Sequence, residues 1–275
     1  MHPRNLIVVG MWGVSAAMAV AGSPTGDNTL KTPPPAPAPP TSEVTLPPPS
    51  ALDPTIQVRA PLSGMPGTGT AFSVSPAGVW LTARHVVEGC AQAAIAVDKG
   101  QGVAAEVRLV PRAETAILIT QGGAPALKLA TPYLMRRGMA AFDIGYPRGR
   151  PGEVVTHLVG RENLLLRGRH TRREAALAWR QSVARSGSAA NLVGLSGAPA
   201  LDGNGEVIGM VFAQARRHGR LYTTTTQALW AALKRADVAV PGDAEALPLT
   251  GATYQSTAST LRDDLRIVPV MCLGR

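Results

Sequence analysis

The sequence predicts an all-β domain, a barrel or sandwich of short strands, behind an N-terminal segment that cannot form a core. Three observations predict it. From residue 55 onward, short β-like runs are separated by glycine, proline, asparagine and aspartate turn signals at the spacing of sandwiches and barrels. One stretch alone, Gln227–Arg235, has firm helical periodicity, with Leu229, Trp230 and Leu233 on a shared face. Residues 23–54 hold 11 of the 24 prolines with only Asp27, Lys31, Glu43 and Asp53 charged, which confines globular structure to residues 55–275.

Taken in order, His2 and Arg4 form a weakly basic start, Leu6 to Val20 are apolar, and Ala19-Val20-Ala21 offers the small residues a signal peptidase reads. Residues 1–21 therefore read as an export signal cleaved near Ala21, giving a periplasmic or secreted protein; the alternative is an uncleaved N-terminal membrane anchor. Residues 22–54 read as a proline-rich linker, extended from Thr32 to Pro49. In the body, Thr70–Val74 and Val79–Ala83 flank the turn Ser75-Pro76-Ala77-Gly78 and form a hairpin. Strand-like runs follow at Ala94–Val97, Val103–Val110, Ala116–Thr120, Met139–Ile144, Glu153–Val159, Asn163–Arg167 and Leu177–Gln181. The turn Asp202-Gly203-Asn204-Gly205 separates Pro199–Leu201 from Val207–Ala213, and Leu221–Thr226 precedes the helix. Residues 246–275 read as a C-terminal tail.

With 4% aromatic residues, the core must be built from Val, Leu, Ile and Ala. No apolar run after residue 21 approaches the ~20 residues of a membrane helix, so no stable span is expected in the mature chain. The net charge is +9, and the first 54 residues contribute −1 of it, so the body is strongly basic. A basic surface attracts anions, yet no aromatic strand motif, helix-turn-helix or zinc finger accompanies it, and nucleic acid is not expected as a partner. Cys90 and Cys272 are the only cysteines. They fit no metal-finger spacing, and in an oxidising compartment they can form one disulfide. No metal or cofactor is expected.

Three motifs carry chemistry. In Leu81-Thr82-Ala83-Arg84-His85-Val86-Val87 a strand ends and a histidine follows at once. In Gly194-Leu195-Ser196-Gly197-Ala198-Pro199 glycines bracket a serine, so the backbone can aim the Gly194 and Ser196 amides at one point, as an oxyanion hole requires. An α/β-hydrolase elbow is excluded, because Gly-x-Ser-x-Gly would need glycine at Ala198. Between them Glu114 leads into the buried-looking run Thr115–Leu118, where a carboxylate can orient an imidazole. Asp98, in an apparent hairpin turn, is the reserve acid.

The order His85, Glu114, Ser196 on a chain of short strands, together with Gly67-Thr68-Gly69-Thr70 and Gly145-Tyr146-Pro147, resembles bacterial trypsin-like serine peptidases of the HtrA type. The resemblance spans residues 58–238. It implies two packed six-stranded antiparallel β-barrels with a C-terminal helix, barrel one over about 55–135 and barrel two over about 136–240, in a peptidase domain of 55–245. It further implies a serine endopeptidase acting on protein or peptide substrates, with His85 from one barrel and Ser196 from the other; the alternative is a catalytically weak or inactive peptide-binding module. By the same resemblance Ala190 lies at the base of the primary specificity pocket, for which Ala213 is a second candidate, and this favours small or medium apolar side chains over Lys or Arg. The sequence departs from the family in having Glu114 for the usual aspartate, Ala198 for a glycine, and only about 37 residues after Val238, too few for a PDZ domain. Two arginine groups, Arg216, Arg217 and Arg220, and Arg161, Arg167, Arg169, Arg172 and Arg173, read either as solvated surface or as contacts to acidic ligands.

Overall fold

The computed structural model describes residues 44–59, 67–98, 100–133, 135–167, 171–182, 192–215 and 219–274, all within one unit that spans 41–275. The expected export signal, most of the proline-rich linker, Ala190, Arg169, Arg216 and Arg217 lie outside the described residues. In chain order the strands are β1 (Thr55–Arg59), β2 (Gly67–Ser75), β3 (Val79–Ala83), β4 (Gln92–Asp98), β5 (Gln101–Leu109), β6 (Thr115–Ile119) and β7 (Ala140–Gly145). They continue with β8 (Gly152–Arg167), β9 (Arg172–Gln181), β10 (Pro199–Leu201), β11 (Val207–Ala215), β12 (Arg220–Thr223) and β13 (Ile267–Leu273). Among the described residues three α-helices accompany them, α1 (Arg84–Val87), α2 (Thr226–Arg235) and α3 (Tyr254–Asp263), with a short 3-10 turn at Pro147–Gly149.

The fold is two β-barrels, as the resemblance implies. Barrel one is closed in the order β13-β2-β3-β6-β5-β4 with every pairing antiparallel. Barrel two runs β8-β7-β10-β11-β12-β9 and returns to β8 through the β8–β9 pairing, with β1 added in parallel on the far end of β8. The apparent strands at Glu153–Val159 and Asn163–Arg167 are one 16-residue strand, which shifts register at Leu158/Gly160 as it leaves β7 and continues along β9.

Burial explains why β2, β3 and β6 read as continuous apolar runs. Their odd and even residues face two different cores. Ala71, Trp80, Ala116 and Leu118 fill barrel one with Ile95, Val268 and Val270. Phe72, Leu81 and Ile117 face the other way and pack with Phe142, Ile144, Met210 and Phe212 of barrel two. A strand buried on both faces loses the polar alternation of a half-exposed one.

Three segments differ from the sequence reading. The segment read as a C-terminal tail supplies α3 and the last strand of barrel one, and Cys272 on β13 is bonded to Cys90 just after α1. The segment Thr55–Arg59, assigned by sequence to barrel one, pairs with barrel two. The end of the proline-rich linker is also docked: Leu46 is buried among Met135, Leu158 and Trp179, and its N–H donates to the Met135 carbonyl at 2.7 Å. Arg161 and Asn163 hold this segment through the carbonyls of Pro47, Ser50 and Asp53. The helix expected at Gln227–Arg235 is α2, capped by the Thr225 hydroxyl, which accepts from the Ala228 N–H.

Candidate active site

The antiparallel register of β3 with β6 ends with Ala83 opposite Thr115. One step further, the Arg84 N–H donates to the Glu114 carbonyl at 3.1 Å. The chain then turns into α1, and His85 stands beside Glu114 with both side chains buried. His85 Nδ1 and Glu114 Oε2 are 3.1 Å apart. Asp98 is exposed at the end of β4, so the structure brings Glu114 rather than the reserve acid to the imidazole.

Glutamate is one methylene longer than the family's aspartate, and the structure shows what holds the longer arm. Its second oxygen, Oε1, accepts from Nε of Arg172 at 3.1 Å and from Nη2 of the same guanidinium. Its main-chain N–H donates to Glu174 Oε2 at 3.2 Å. Both partners sit on β9 of barrel two, so the acid of barrel one is fixed from across the interface. Arg172 also reaches Glu88 at 3.5 Å, and Glu88 is held by Arg84 at 2.7 Å. Burial pushes the Glu114 carboxyl up, but the hydrogen bond and charge of His85 and the guanidinium of Arg172 outweigh it and hold the group below the usual glutamate value. Burial has the opposite net result at Glu174, which the neighbouring Glu114 charge helps to push up to about 7 against Arg172 and Arg235.

Ser196 lies half-buried in the turn between Leu192 and Ala198, which packs against β2 and β3. The Thr70 N–H donates to the Ser196 carbonyl at 2.9 Å, and the Thr70 hydroxyl donates to the Gly194 carbonyl at 2.9 Å while accepting from the Tyr146 N–H. Thr70 is thus a clasp between barrel one and the serine turn. Gly197 is required here, because at φ 89° a Cβ would stand 2.0 Å from the Thr70 carbonyl and 3.0 Å from the Ala83 nitrogen. The same close approach brings the serine turn to the strand that delivers His85. Ala198, the departure from the family's glycine, has no positive φ and is tolerated without strain.

The Val193 carbonyl accepts from the Arg148 N–H at 2.6 Å. Because the peptide is planar and trans, the Gly194 N–H of the same unit points away from Arg148. Among the described residues neither the Gly194 nor the Ser196 N–H donates to a protein acceptor, and no hydrogen bond joins His85 to Ser196. Ala213 is buried on β11.

The arginine groups resolve mostly into structure. Arg161 and Arg167 bind the N-terminal segment, and Arg220 pairs with Glu162. Arg172 is the one that reaches the site. Sequence reasoning names Arg172 only within that group, gives Thr70 only as part of a motif and a strand with no role at the site, and omits Glu174. Arg172 lies ahead of the strand the sequence shows at Leu177–Gln181; β9 begins at Arg172 itself, and only its register with β8 fixes the face the arginine presents.

Two β-barrels, with a His–Glu pair carried by one and a glycine-bracketed serine by the other, define the class of trypsin-like folds. The family described as "Trypsin-like peptidase domain" matches residues 69–210, just over half of the chain, and the chain belongs to that family. No curated protein sequence matches it significantly. Among solved structures it is similar to the Rv3671c protease in an inactive form, with 24% identity and TM-score 0.50 over 61% of this chain and 82% of that one. The active form of the M. tuberculosis Rv3671c protease gives 23% identity and TM-score 0.52 over 66% and 76%. A variant of the HtrA-type protease AlgW with a decapeptide gives 20% identity and TM-score 0.50 over 62% of this chain and 52% of that one. At these identities the likeness is one of fold.

Proposed function

We propose that the chain is an exported serine endopeptidase that cleaves peptide bonds through an acyl-enzyme. Ser196 Oγ attacks the scissile carbonyl while His85 Nε2 takes its proton. The Gly194 and Ser196 amides receive the oxyanion. His85 then returns the proton to the leaving amine, and water hydrolyses the acyl-enzyme by the same steps. The observation that carries this reading is the buried His85–Glu114 bond with Arg172 behind it. An ionised Glu114 can only accept, so it holds the proton on Nδ1 and leaves the Nε2 lone pair for the serine. In the parent triad, loss of that tautomer costs about 10⁴ in kcat. Small apolar residues are the expected P1 side chains, with Ala213 on the pocket wall. Export is supported by the Cys90–Cys272 bond, which persists in oxidising compartments.

The test is turnover of a casein-derived peptide pool by the purified protein. Cleavage that Ser196→Ala abolishes supports the reading. Saturable peptide binding with no cleavage by folded wild type would transfer the site to a peptide-binding module.

A further inference from the structure

Behind the Glu114 clamp lies a surface depression of about 400 Å³ lined by Arg84, Arg112, Thr171, Arg172 and Arg173. Two of its guanidiniums are engaged. Arg84 binds Glu88 and the Val110 carbonyl, and Arg172 binds Glu114 and Glu88. The other two, Arg112 and Arg173, are exposed and form no ion pair among the described residues. Glu88 and Glu114 thus balance the inner pair of cations and leave the outer pair uncompensated. Glu174 lies buried on the inner side between Glu114, Arg172 and Arg235.

Gathering like charges around one hollow is unfavourable without a counter-charge. Arg112 also takes a left-handed backbone, φ 60°, which a non-glycine residue rarely adopts. It does so in the short turn that runs directly into Glu114. Two uncompensated guanidiniums at one hollow, beside a strained turn, give that hollow the chemistry of an anion site.

We propose that this depression is a binding site for a doubly charged oxyanion of the phosphate class, a phosphomonoester or inorganic phosphate. Paired guanidinium forks match phosphate oxygens two by two, and the Thr171 hydroxyl adds a neutral donor. The volume exceeds what inorganic phosphate occupies and falls within the range of small-molecule sites, so an ester with an organic group is the better fit. The proposal does not rest on the peptidase reading, because none of the lining residues is the proposed nucleophile, base or acid.

The experiment is calorimetric titration of the full chain, as wild type and as Ser196→Ala, with inorganic phosphate and with glycerol 3-phosphate at pH 7.5. Ionic strength is held constant with chloride, so that general screening cancels. Both proteins are expected to bind one equivalent of each ligand, the ester more tightly. Arg112→Ser/Arg173→Ser, two exposed positions that leave the fold intact, should weaken binding at least tenfold. Arg112→Lys/Arg173→Lys, which keeps charge without the fork, should fall between. Absence of saturable binding by either ligand up to about 20 mM, or equal binding by the double serine variant, would overturn the proposal. So would tight binding of an Asp/Glu-rich peptide where neither phosphate compound binds.

Discussion

Replacing Arg172 with methionine keeps the length of the stem and removes the guanidinium, so Glu114 Oε1 loses both of its donors. Glu114 is 1% exposed and Arg172 17%. Breaking a fully buried pair costs about 3–5 kcal/mol, and the partial exposure of Arg172 brings the expected loss of stability to about 2–3 kcal/mol. The catalytic consequence has a definite sign. Arg172 and His85 sit on opposite oxygens of one carboxylate, so the guanidinium both fixes that carboxylate and helps keep it ionised. Removing the cation should let the Glu114 carboxyl rise from its lowered value, which weakens its hold on the Nδ1 proton of His85. Loosening of Glu114 should lower kcat by about 10- to 100-fold, less than the ~10⁴ seen when the acid itself is neutralised. The assay is peptide hydrolysis from pH 5 to 9, paired with urea denaturation. Arg172→Lys should restore the charge but only part of kcat, since an ammonium lacks the fork. A folded Arg172→Met with wild-type kcat would refute the coupling.

Asp143 is wholly buried on β7, accepts from the Thr156 hydroxyl, and is pushed by burial up to about 7. A carboxyl raised in this way favours the fold while protonated, and the contribution, on the order of 4 kcal/mol, is lost as pH rises from about 4 through about 7. Asp143→Asn should therefore show a smaller fall in urea midpoint between pH 5 and 8 than wild type, with Glu174 supplying the remaining slope; an equal fall would contradict this. The Cys90–Cys272 bond spans 182 residues, and the loop-closure model assigns such a bond about 5 kcal/mol as an upper figure. Reductant should lower the denaturation midpoint of wild type to that of Cys90→Ser/Cys272→Ser and leave the variant unmoved; equal sensitivity of both would count against it.

Legibility in the sequence follows the range of the interactions. The strand ends that carry His85 and Glu114 are read locally, because each is a polar residue at the boundary of an apolar run. Their meeting needs only the β3–β6 register. The serine turn is read from its glycines, whose backbone requirement is local to the turn. Barrel one's closing strand is hidden for a different reason. Pro269 sits inside it, and a proline argues against a central strand. At Pro269 the strand has only β2 beside it, the register with β4 beginning at Val270, so one edge is open there. Leu46 is hidden by the prolines around it, which signal an extended chain and say nothing of what that chain lies against. Arg172 is hidden among arginines of the same composition, since only the pairing of β9 with β8 and β12 decides which of them faces Glu114.

The proposed activity requires Ser196 to be a nucleophile activated by a His85 that Glu114 orients. Labelling of the purified protein by a fluorophosphonate, with the modified residue mapped by mass spectrometry, tests it most directly. A single label on Ser196 is expected, and none in Ser196→Ala. Glu114→Gln, which offers His85 an N–H where it needs an acceptor, should label at least about 100-fold more slowly. A folded wild-type protein that does not label, or labels elsewhere, or a Glu114→Gln variant that labels at the wild-type rate, would contradict it.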